Sequence, residues 1–403
     1  MEVVVSRPNP SGPRKVGVLG RIKPSYLVLL ALLPLVVILF VRNQDYQAAL
    51  RFLLPGLQFT LSVTVLGYLL AAVLGLALAG MMLLSLGRRT VTWFVSLAAV
   101  LGLAGGGLLL TPGEELVLAG APEGRVAIVR GTPDALTNAV RDGSYAEGAL
   151  GRRFLAAVDE ATALTFLEEE RVTAVFLPPD LVPADLPELW RVTFLPNSAR
   201  NPSTLLLSFA ALFGLLGFAA QQSREHPLAI FAELYVDLIR GIPMLVVILF
   251  IGFVLPGAIR DLTGGRISIR NDLLRGVLAI AIGYAAYMAE IFRAGIEAIA
   301  KGQIEASRSL GLTGWQTARF VVLPQAIRIV LPPLGNEFIA MLKDTALLSV
   351  IGVGDVTQKA REFGAATLNL FPPYNSAAVV YVVLTLSASS VLRWLERRTN
   401  TGR

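Results

Sequence analysis

Ionisable and hydrogen-bonding side chains are scarce in the apolar parts of this 403-residue chain, so those that sit there are the first candidates for chemistry. Asn336, Glu337, Lys343, Asp344 and Thr345 all fall within one largely apolar stretch, residues 329–350. A charge at membrane depth costs about 2.5–3.5 kcal/mol on insertion scales unless it is paired or wet, so these groups should face a cavity or a partner helix. They can line a polar path, or they can serve structure and gating, for instance with Lys343 paired to a neighbouring acid. Glu290 and Arg293, three apart on a helix, can pair as a hinge clamp or contribute to a ligand site. Other chemistries lack material. With no cysteine there is no disulfide, thiolate metal site or cysteine nucleophile, and the single histidine, His226, cannot build a zinc site alone. A phosphate-cradling loop needs Gly-Lys-Ser/Thr, yet Lys15, Lys23, Lys301, Lys343 and Lys359 follow Arg, Ile, Ala, Leu and Gln. The chain therefore cannot hydrolyse ATP through such a loop.

The elements that must position these residues are membrane helices. Hydrophobic residues make up 54% and charged ones only 16%, where a soluble domain is about a quarter charged. No charged side chain lies between Arg51 and Arg88, Arg89 and Glu114, Arg200 and Arg224, Arg240 and Arg260, or Glu362 and Arg393. Each run suits the roughly 20 apolar residues that a span needs. The run at 24–41 follows the basic tail Arg7, Arg14, Lys15, Arg21 and Lys23. It could be a signal-peptide core, but no small-residue cleavage site follows, so it reads as a retained first helix. With the charge-interrupted segments 273–292 and 329–350, about eight spans result. Eight crossings place the N-terminal tail, Arg88 and Arg89, Arg224, Lys301 with Arg308 and Arg319, and Arg393, Arg397 and Arg398 on the cytoplasmic side. The expected fold is an all-α polytopic membrane protein with one soluble insertion. Two of its helices open alike, Thr60-Leu61 with Gly67 and Gly75, and Thr204-Leu205 with Gly214 and Gly217, and we read these small residues as close packing sites.

That insertion is residues 112–200, between the third and fourth spans. It holds fourteen acidic and eight basic residues and no lysine, and the topology places it outside the cell membrane. Arg125-Val-Ala-Ile-Val-Arg130 reads as a strand, Gly131-Thr132-Pro133 as a turn into a helix, and 161–171 as a helix before the apolar run 172–177. This small α/β pattern loosely resembles part of one lobe of a periplasmic solute-binding protein.

The most informative segment follows the sixth span: Glu305-Ala306-Ser307-Arg308-Ser309-Leu310-Gly311, nine residues, then Val321-Val322-Leu323-Pro324. Residues 304–310 suit a short amphipathic helix, Gly311 supplies the permissive backbone that ends it, and Pro324 precludes uninterrupted regular helix across that point. The segment resembles the EAA loop of ABC-importer membrane subunits, Glu-Ala-Ala, three residues, Gly, nine residues, Ile, any residue, Leu-Pro, with Ser307 and Val321 as mild departures. Tyr235-Val-Asp-Leu-Ile-Arg240-Gly241-Ile242-Pro243, Tyr287-Met-Ala-Glu290-Ile-Phe-Arg293, Gly302-Gln303, Gln325-Ala326 and Lys343-Asp344-Thr345 extend the likeness to the polar amino acid uptake subfamily over residues 230–398. Where that subfamily usually has Thr, Gln and Ser, this chain has Ile242, Val247 and Ala346.

The resemblance implies a transmembrane permease subunit that is not itself an enzyme. Its partners would be an ABC ATPase subunit carrying ATP and magnesium, a second permease subunit, identical or homologous, and an extracytoplasmic solute-binding protein. Glu305, Ala306, Ser307, Gly311, Leu323 and Pro324 would couple to the ATPase. Glu290, Arg293, Asn336, Glu337, Lys343, Asp344 and Thr345 would belong to the pathway of an amino acid or to its gate. The implied organisation is a cytoplasmic tail at 1–24, spans at 25–111, the α/β domain at 112–200, a permease core at 201–398 with its cytoplasmic loop at about 295–328, and a tail at 399–403, the whole a multi-pass inner-membrane protein with both termini cytoplasmic. The competing functions are a secondary amino acid transporter using Glu337, Lys343 and Asp344 for ion coupling, and a ligand sensor on an importer-like scaffold.

Overall fold

Among the described residues six helices are long and apolar enough to cross a membrane: Gln44–Met82, Thr90–Leu109, Ala199–Ser223, Asp272–Glu297, Gly314–Ile351 and Phe371–Arg398. A seventh arises if Pro227–Gly241 and Met244–Arg260, bent by 108°, count as one. The computed structural model describes residues 34, 37, 38, 40–87, 89–195, 197–262 and 269–399. The expected basic tail, most of the expected first span at 24–41, Arg88 and the end of the C-terminal tail lie outside the described residues. In chain order the elements up to the first bend are α1 (Gln44–Met82), α2 (Thr90–Leu109), β1 (Glu114–Gly120), β2 (Val126–Val129), α3 (Asp134–Asp142), β3 (Phe154–Ala157), α4 (Glu160–Glu168), β4 (Ala174–Leu177), β5 (Glu188–Phe194), α5 (Asn197–Ser223) and α6 (Pro227–Gly241). There follow α7 (Met244–Leu249), α8 (Leu255–Leu262), α9 (Asp272–Glu297), α10 (Lys301–Ser309), α11 (Gly314–Thr317), α12 (Leu323–Asp344), α13 (Val356–Thr367) and α14 (Phe371–Thr399). They fall into two units, Met1–Gly80 with Tyr235–Arg403, and Met81–Leu234.

In the first unit, α1 buries a seam that is mostly small: Ala49, Gly56, Thr60, Val63, Gly67, Ala71 and Gly75. Their spacing of three, four or seven residues puts them on one face of a helix. A β-carbon at Gly67 would stand 2.6 Å from Ile280 Cγ2, and one at Gly75 would stand 2.8 Å from Met288 Cβ and 3.0 Å from the Ala285 carbonyl oxygen. The backbone of α1 therefore lies directly against α9. Farther up the seam, Gly56 abuts the Asp355 carbonyl and Thr60 Oγ1 accepts the Val356 amide at 3.3 Å. Val63, Ile280, Tyr284, Met288, Met341, Leu348 and Ile351 close the buried cluster around this contact.

Three helix breaks depart from the expected spans. The run at 240–260 is only the second limb of the bent pair, because Pro243 lacks an amide hydrogen and disfavours helical geometry at Ile242. Its two short helices, α7 and α8, join through a widened π turn at Phe250–Val254. The uncharged run at 362–393 is divided between α13 and α14 at Leu368, which adopts φ 54° ahead of Pro372 and Pro373. The helical stretch expected at 329–350 begins earlier, at Gly314, and ends as a 3-10 turn at Thr345–Ile351.

In the second unit α2 and α5 pack antiparallel. Gly105 faces Leu207, Gly102 faces Ala210, Gly214 faces Ala98 and Gly217 faces Val95. The chain between them forms a five-stranded sheet of order β3-β2-β4-β1-β5. Strand β2 is parallel to β3 and β4, and β1 runs antiparallel between β4 and β5, with Glu114 opposite Phe194. One face buries Leu118, Ile128 and Phe176, the last stacked on Trp190 at 5.5 Å, while the other buries Ala127, Ala157, Val175 and Leu177. Asp159 caps α4 by accepting from the Thr162 hydroxyl and amide, and these bonds hold its carboxyl below the usual range.

The α1 seam makes a contrast that can be measured. Gly75→Val drives a side chain into the backbone of α9 and should cost about 1–3 kcal/mol. Gly106→Ala adds a methyl to open space on α2 and should leave stability unchanged or raise it by up to about 1 kcal/mol. Thermal unfolding of the detergent-solubilised chain reads both, and equal midpoint shifts for the two variants would show that the seam is not a close contact.

Candidate functional site

Residues 301–324 fold as a helix-turn-helix knob. Helix α10 ends where the Leu310 amide bonds to Ala306 O, the Gly311 amide to Arg308 O at 2.9 Å, and the Leu312 amide to Ser307 O at 3.2 Å. The last two bonds are the paired closure of a Schellman turn, which requires the left-handed φ of +80° found at Gly311. Thr313 then caps α11 in a reciprocal box, its Oγ1 accepting from the Gln316 amide while Gln316 Oε1 accepts from the Thr313 amide. Ser307 Oγ donates to Ile304 O at 2.7 Å and lies 3.0 Å from Thr317 Oγ1, with both side chains buried. The serine that stands where the EAA pattern has its second alanine thus meets a threonine ten residues on, so its hydroxyl is satisfied. Gln325 Nε2 reaches Gln303 Oε1 and Val321 O, fastening α10 to the start of α12. Glu305, Ala306, Gly311, Leu323 and Pro324 remain exposed, as do Leu310 at 83% and Trp315 at 72%.

Pro324 does not end the helix. A π turn at Ala318–Val322 precedes it, and Pro324 occupies the first turn of α12. The widened turn relieves the clash between a proline ring and the carbonyl four residues back. The interruption expected at this point is therefore a local widening, and the knob runs continuously into a long helix.

The polar residues of α12 separate in space. Asn336 and Lys343 are exposed, and Lys343 makes no ion pair among the described residues. Asp344 accepts from Tyr284 Oη of α9 at 2.8 Å, and Thr345 is buried with its hydroxyl donated to Leu342 O. Glu337, half-buried, lies seven residues before Asp344 and therefore on the same face of α12. Beside it Tyr68 of α1 donates to Leu334 O at 3.0 Å and stacks edge-on against Phe338. An apolar cavity of about 350 Å³ opens here, lined by Tyr68, Leu331, Phe338, Val391, Leu392 and Leu395, walls that offer little to a charged solute.

Glu290 and Arg293 form an ion pair at 2.5 Å, and Arg293 also reaches Glu297 at 3.0 Å. The structure adds a partner that the residue spacing did not indicate: Arg240, in the last turn of α6, stands 3.8 Å from Glu290 and over the Tyr287 ring. Tyr235 Oη donates to Ile282 O at 2.6 Å, and Met244 of α7 packs against Gly283. Both limbs of the 108° bend are thus tied to α9. Val247, one of the subfamily departures, is buried in the apolar cluster, whereas Ile242 is 38% exposed.

A second residue escaped sequence reasoning. Asp355 is fully buried, caps α13 by accepting the Thr357 and Gln358 amides, and accepts Tyr381 Oη at 3.0 Å. Its signal was the run Gly352-Val-Gly-Asp355, a turn glycine followed by a capping carboxylate ahead of a helix. Among the described residues no cluster of three or more metal-ligating side chains occurs.

The family described as binding-protein-dependent transport system inner membrane component matches residues 213–401. The glutamine transport system permease protein GlnP of Escherichia coli K12 is 41% identical over 194 residues, covering 48% of this chain and 81% of that protein. The histidine/lysine/arginine/ornithine transport system permease protein HisQ of the same strain is 34% identical over 197 residues, covering 48% and 86%. The probable glutamine ABC transporter permease protein GlnM of Bacillus subtilis is 38% identical over 200 residues, covering 48% and 89%. Among solved structures, an amino acid ABC transporter crystallised with histidines is 45% identical, covers 43% of this chain and 77% of that one, and has a TM-score of 0.38. With these relatives covered over most of their own length, the chain belongs to the binding-protein-dependent transport system inner membrane components, as a permease subunit whose ATP hydrolysis resides in a separate subunit.

Proposed function

We propose that the chain, paired with an identical or homologous permease, forms the translocation pathway of an ATP-driven importer for polar amino acids and works by alternating access. The transport roles printed for relatives such as GlnP and HisQ support the substrate class. The observation that carries the mechanism is that the knob is mechanically continuous with α12. Ser307–Thr317 fastens α10 to α11 and Gln303–Gln325 fastens α10 to the start of α12, so a push on Glu305, Ala306 and the exposed Leu310 is delivered to α12 rather than absorbed in a loop. That helix carries Glu337 and Asp344, and Asp344 is held by Tyr284 of α9. Rocking α12 against α9 therefore shifts the polar face of the pathway. Arg240, Glu290 and Arg293 clamp the bend of α6 and α7 to the same α9 and act as a hinge.

In this reading eight spans cross the inner membrane and both termini are cytoplasmic. Residues 112–200 form an extracytoplasmic domain that docks the solute-binding protein or partly replaces it. The ATPase partner supplies ATP and magnesium, and the loop at 295–328 enters its groove. Thr345, buried with its hydroxyl donated to Leu342 O, serves structure or the gate, while Glu337 and Asn336 serve the gate or bear on the amino acid's ammonium and carboxylate groups, which need partners once stripped of water. Apolar Ile242, Val247 and Ala346 would alter the specificity relative to the usual subfamily.

Gentle affinity purification from native membranes followed by mass spectrometry should recover an ATPase with a phosphate-binding loop. A chain recovered alone that moves amino acids down an ion gradient in liposomes would refute the importer reading. Gly311→Val places a β-branched residue at φ +80°, which costs about 1–2 kcal/mol, a factor of roughly 5–30 in the ratio of the correct turn to distorted ones. Uptake per ATP hydrolysed should fall, by up to that factor, while membrane insertion is normal, and unaltered transport would count against the coupling role. Replacing residues 112–196 by a short linker should abolish uptake, and full uptake after that deletion would remove the docking role.

A further inference from the structure

We propose that the edge of the α/β domain where strands β2 and β3 begin is a binding site for a small oxyanion, a carboxylate or a phosphate. The observation behind this is a buried guanidinium with an unused face. Arg152 is 4% exposed. Its Nε donates to Gly124 O at 3.2 Å, and its Nη2 donates to Glu123 O at 3.0 Å and Thr173 Oγ1 at 3.2 Å. Its Nη1 is buried without a hydrogen-bond partner among the described residues. Holding the loops at 123–124 and 173 accounts for two of the three nitrogens and leaves the third, and the charge itself, uncompensated. None of the partners of Arg152 is a carboxylate. A buried cation without a counterion is costly, and Nη1 still carries two N–H donors that an oxyanion can accept.

The surroundings supply the rest of such a site. A cavity of about 410 Å³ is lined by Gly124, Arg125, Leu150, Arg152 and Arg153, with Glu123 at its wall, and an adjoining one of about 410 Å³ by Arg141, Arg152, Arg153 and Phe154. Arg141 lies over the Phe154 ring at 5.3 Å. Residues 112–200 carry fourteen acidic and only eight basic side chains, yet Arg125, Arg141, Arg152 and Arg153 meet here. Such convergence within an otherwise acidic module focuses positive potential on one concave spot. The volume suits a small molecule rather than a polymer.

The test is calorimetric titration of the purified full chain in detergent at low ionic strength, where exposed charges are least screened, with L-glutamate and with inorganic phosphate as separate probes. Saturable binding of either is expected, and which one binds identifies the ligand as carboxylate or phosphate. Arg125→Ala with Arg153→Ala alters two exposed side chains and leaves the buried Arg152 in place. It should weaken binding by about tenfold or more. Glu123→Gln, which removes the acid from the cavity wall, should tighten it. An L-glutamate site elsewhere in the chain would keep its affinity in the double variant. That result, or the absence of saturable binding by both probes, would overturn the proposal.

Discussion

The contact on which the membrane unit depends is the backbone approach of α1 to α9. Between helices in lipid there is no gain from hiding apolar surface, because the surrounding tails are equally apolar, and stability rests on packing. Gly67, Ala71 and Gly75 let the two helices come within van der Waals reach over two turns, with Ile280 and Met288 filling the gap. The polar contacts of α6 and α12 are then assembled on α9 from other directions. Tyr284 takes Asp344 of α12, Glu290 takes Arg240 of α6, and the Ile282 carbonyl takes Tyr235. If α9 were free to slide on α1, none of these pairs would have a fixed frame.

The knob illustrates how short-range bonds stiffen a segment. A loop that received force through flexible residues would dissipate it as local rearrangement. Here the turn is closed by the paired bonds at Gly311, the next helix is capped by Thr313 and Gln316, and the two helices are cross-tied by buried hydroxyls. Each device is worth about 1 kcal/mol. With the Gln303–Gln325 tie across the widened turn at Ala318–Val322, they hold the segment in one piece with α12.

Much of this was legible in the residues and some was not, for physical reasons. Uncharged runs locate apolar helices because lipid tolerates few charges, but they are blind to where a helix bends. The break at Ile242-Pro243 and the division at Leu368 are local backbone events inside stretches of uniform hydropathy. Likewise β2 coincides with the run flanked by Arg125 and Arg130, while β1, at Glu114–Gly120, was hidden because its pattern is set by strands far along the chain. In the site, the amphipathic segment and the glycine that ends it carry their own signal. The tie from Ser307 to Thr317 depends on the turn that folds them together, and the contact from Arg240 to Glu290 depends on the packing of two helices fifty residues apart. Spacing rules reach only neighbours on one helix, so Glu290 and Arg293 could be paired from the sequence and Arg240 could not.

The hairpin of α2 and α5 has a consequence for how the chain is made. Glu114 and Phe194, the first and last residues of the sheet, stand opposite each other, the one just after α2 and the other just before α5, helices whose register is set by Gly105 against Leu207 and Gly217 against Val95. A floppy connection of about 80 residues would oppose pairing of the two helices with a closure entropy on the order of 4 kcal/mol. A folded module whose ends already lie side by side removes most of that cost, so the sheet acts as a preformed turn. During synthesis the second helix of the hairpin then emerges beside the first, and the membrane pair zips from a starting point that the module has already set.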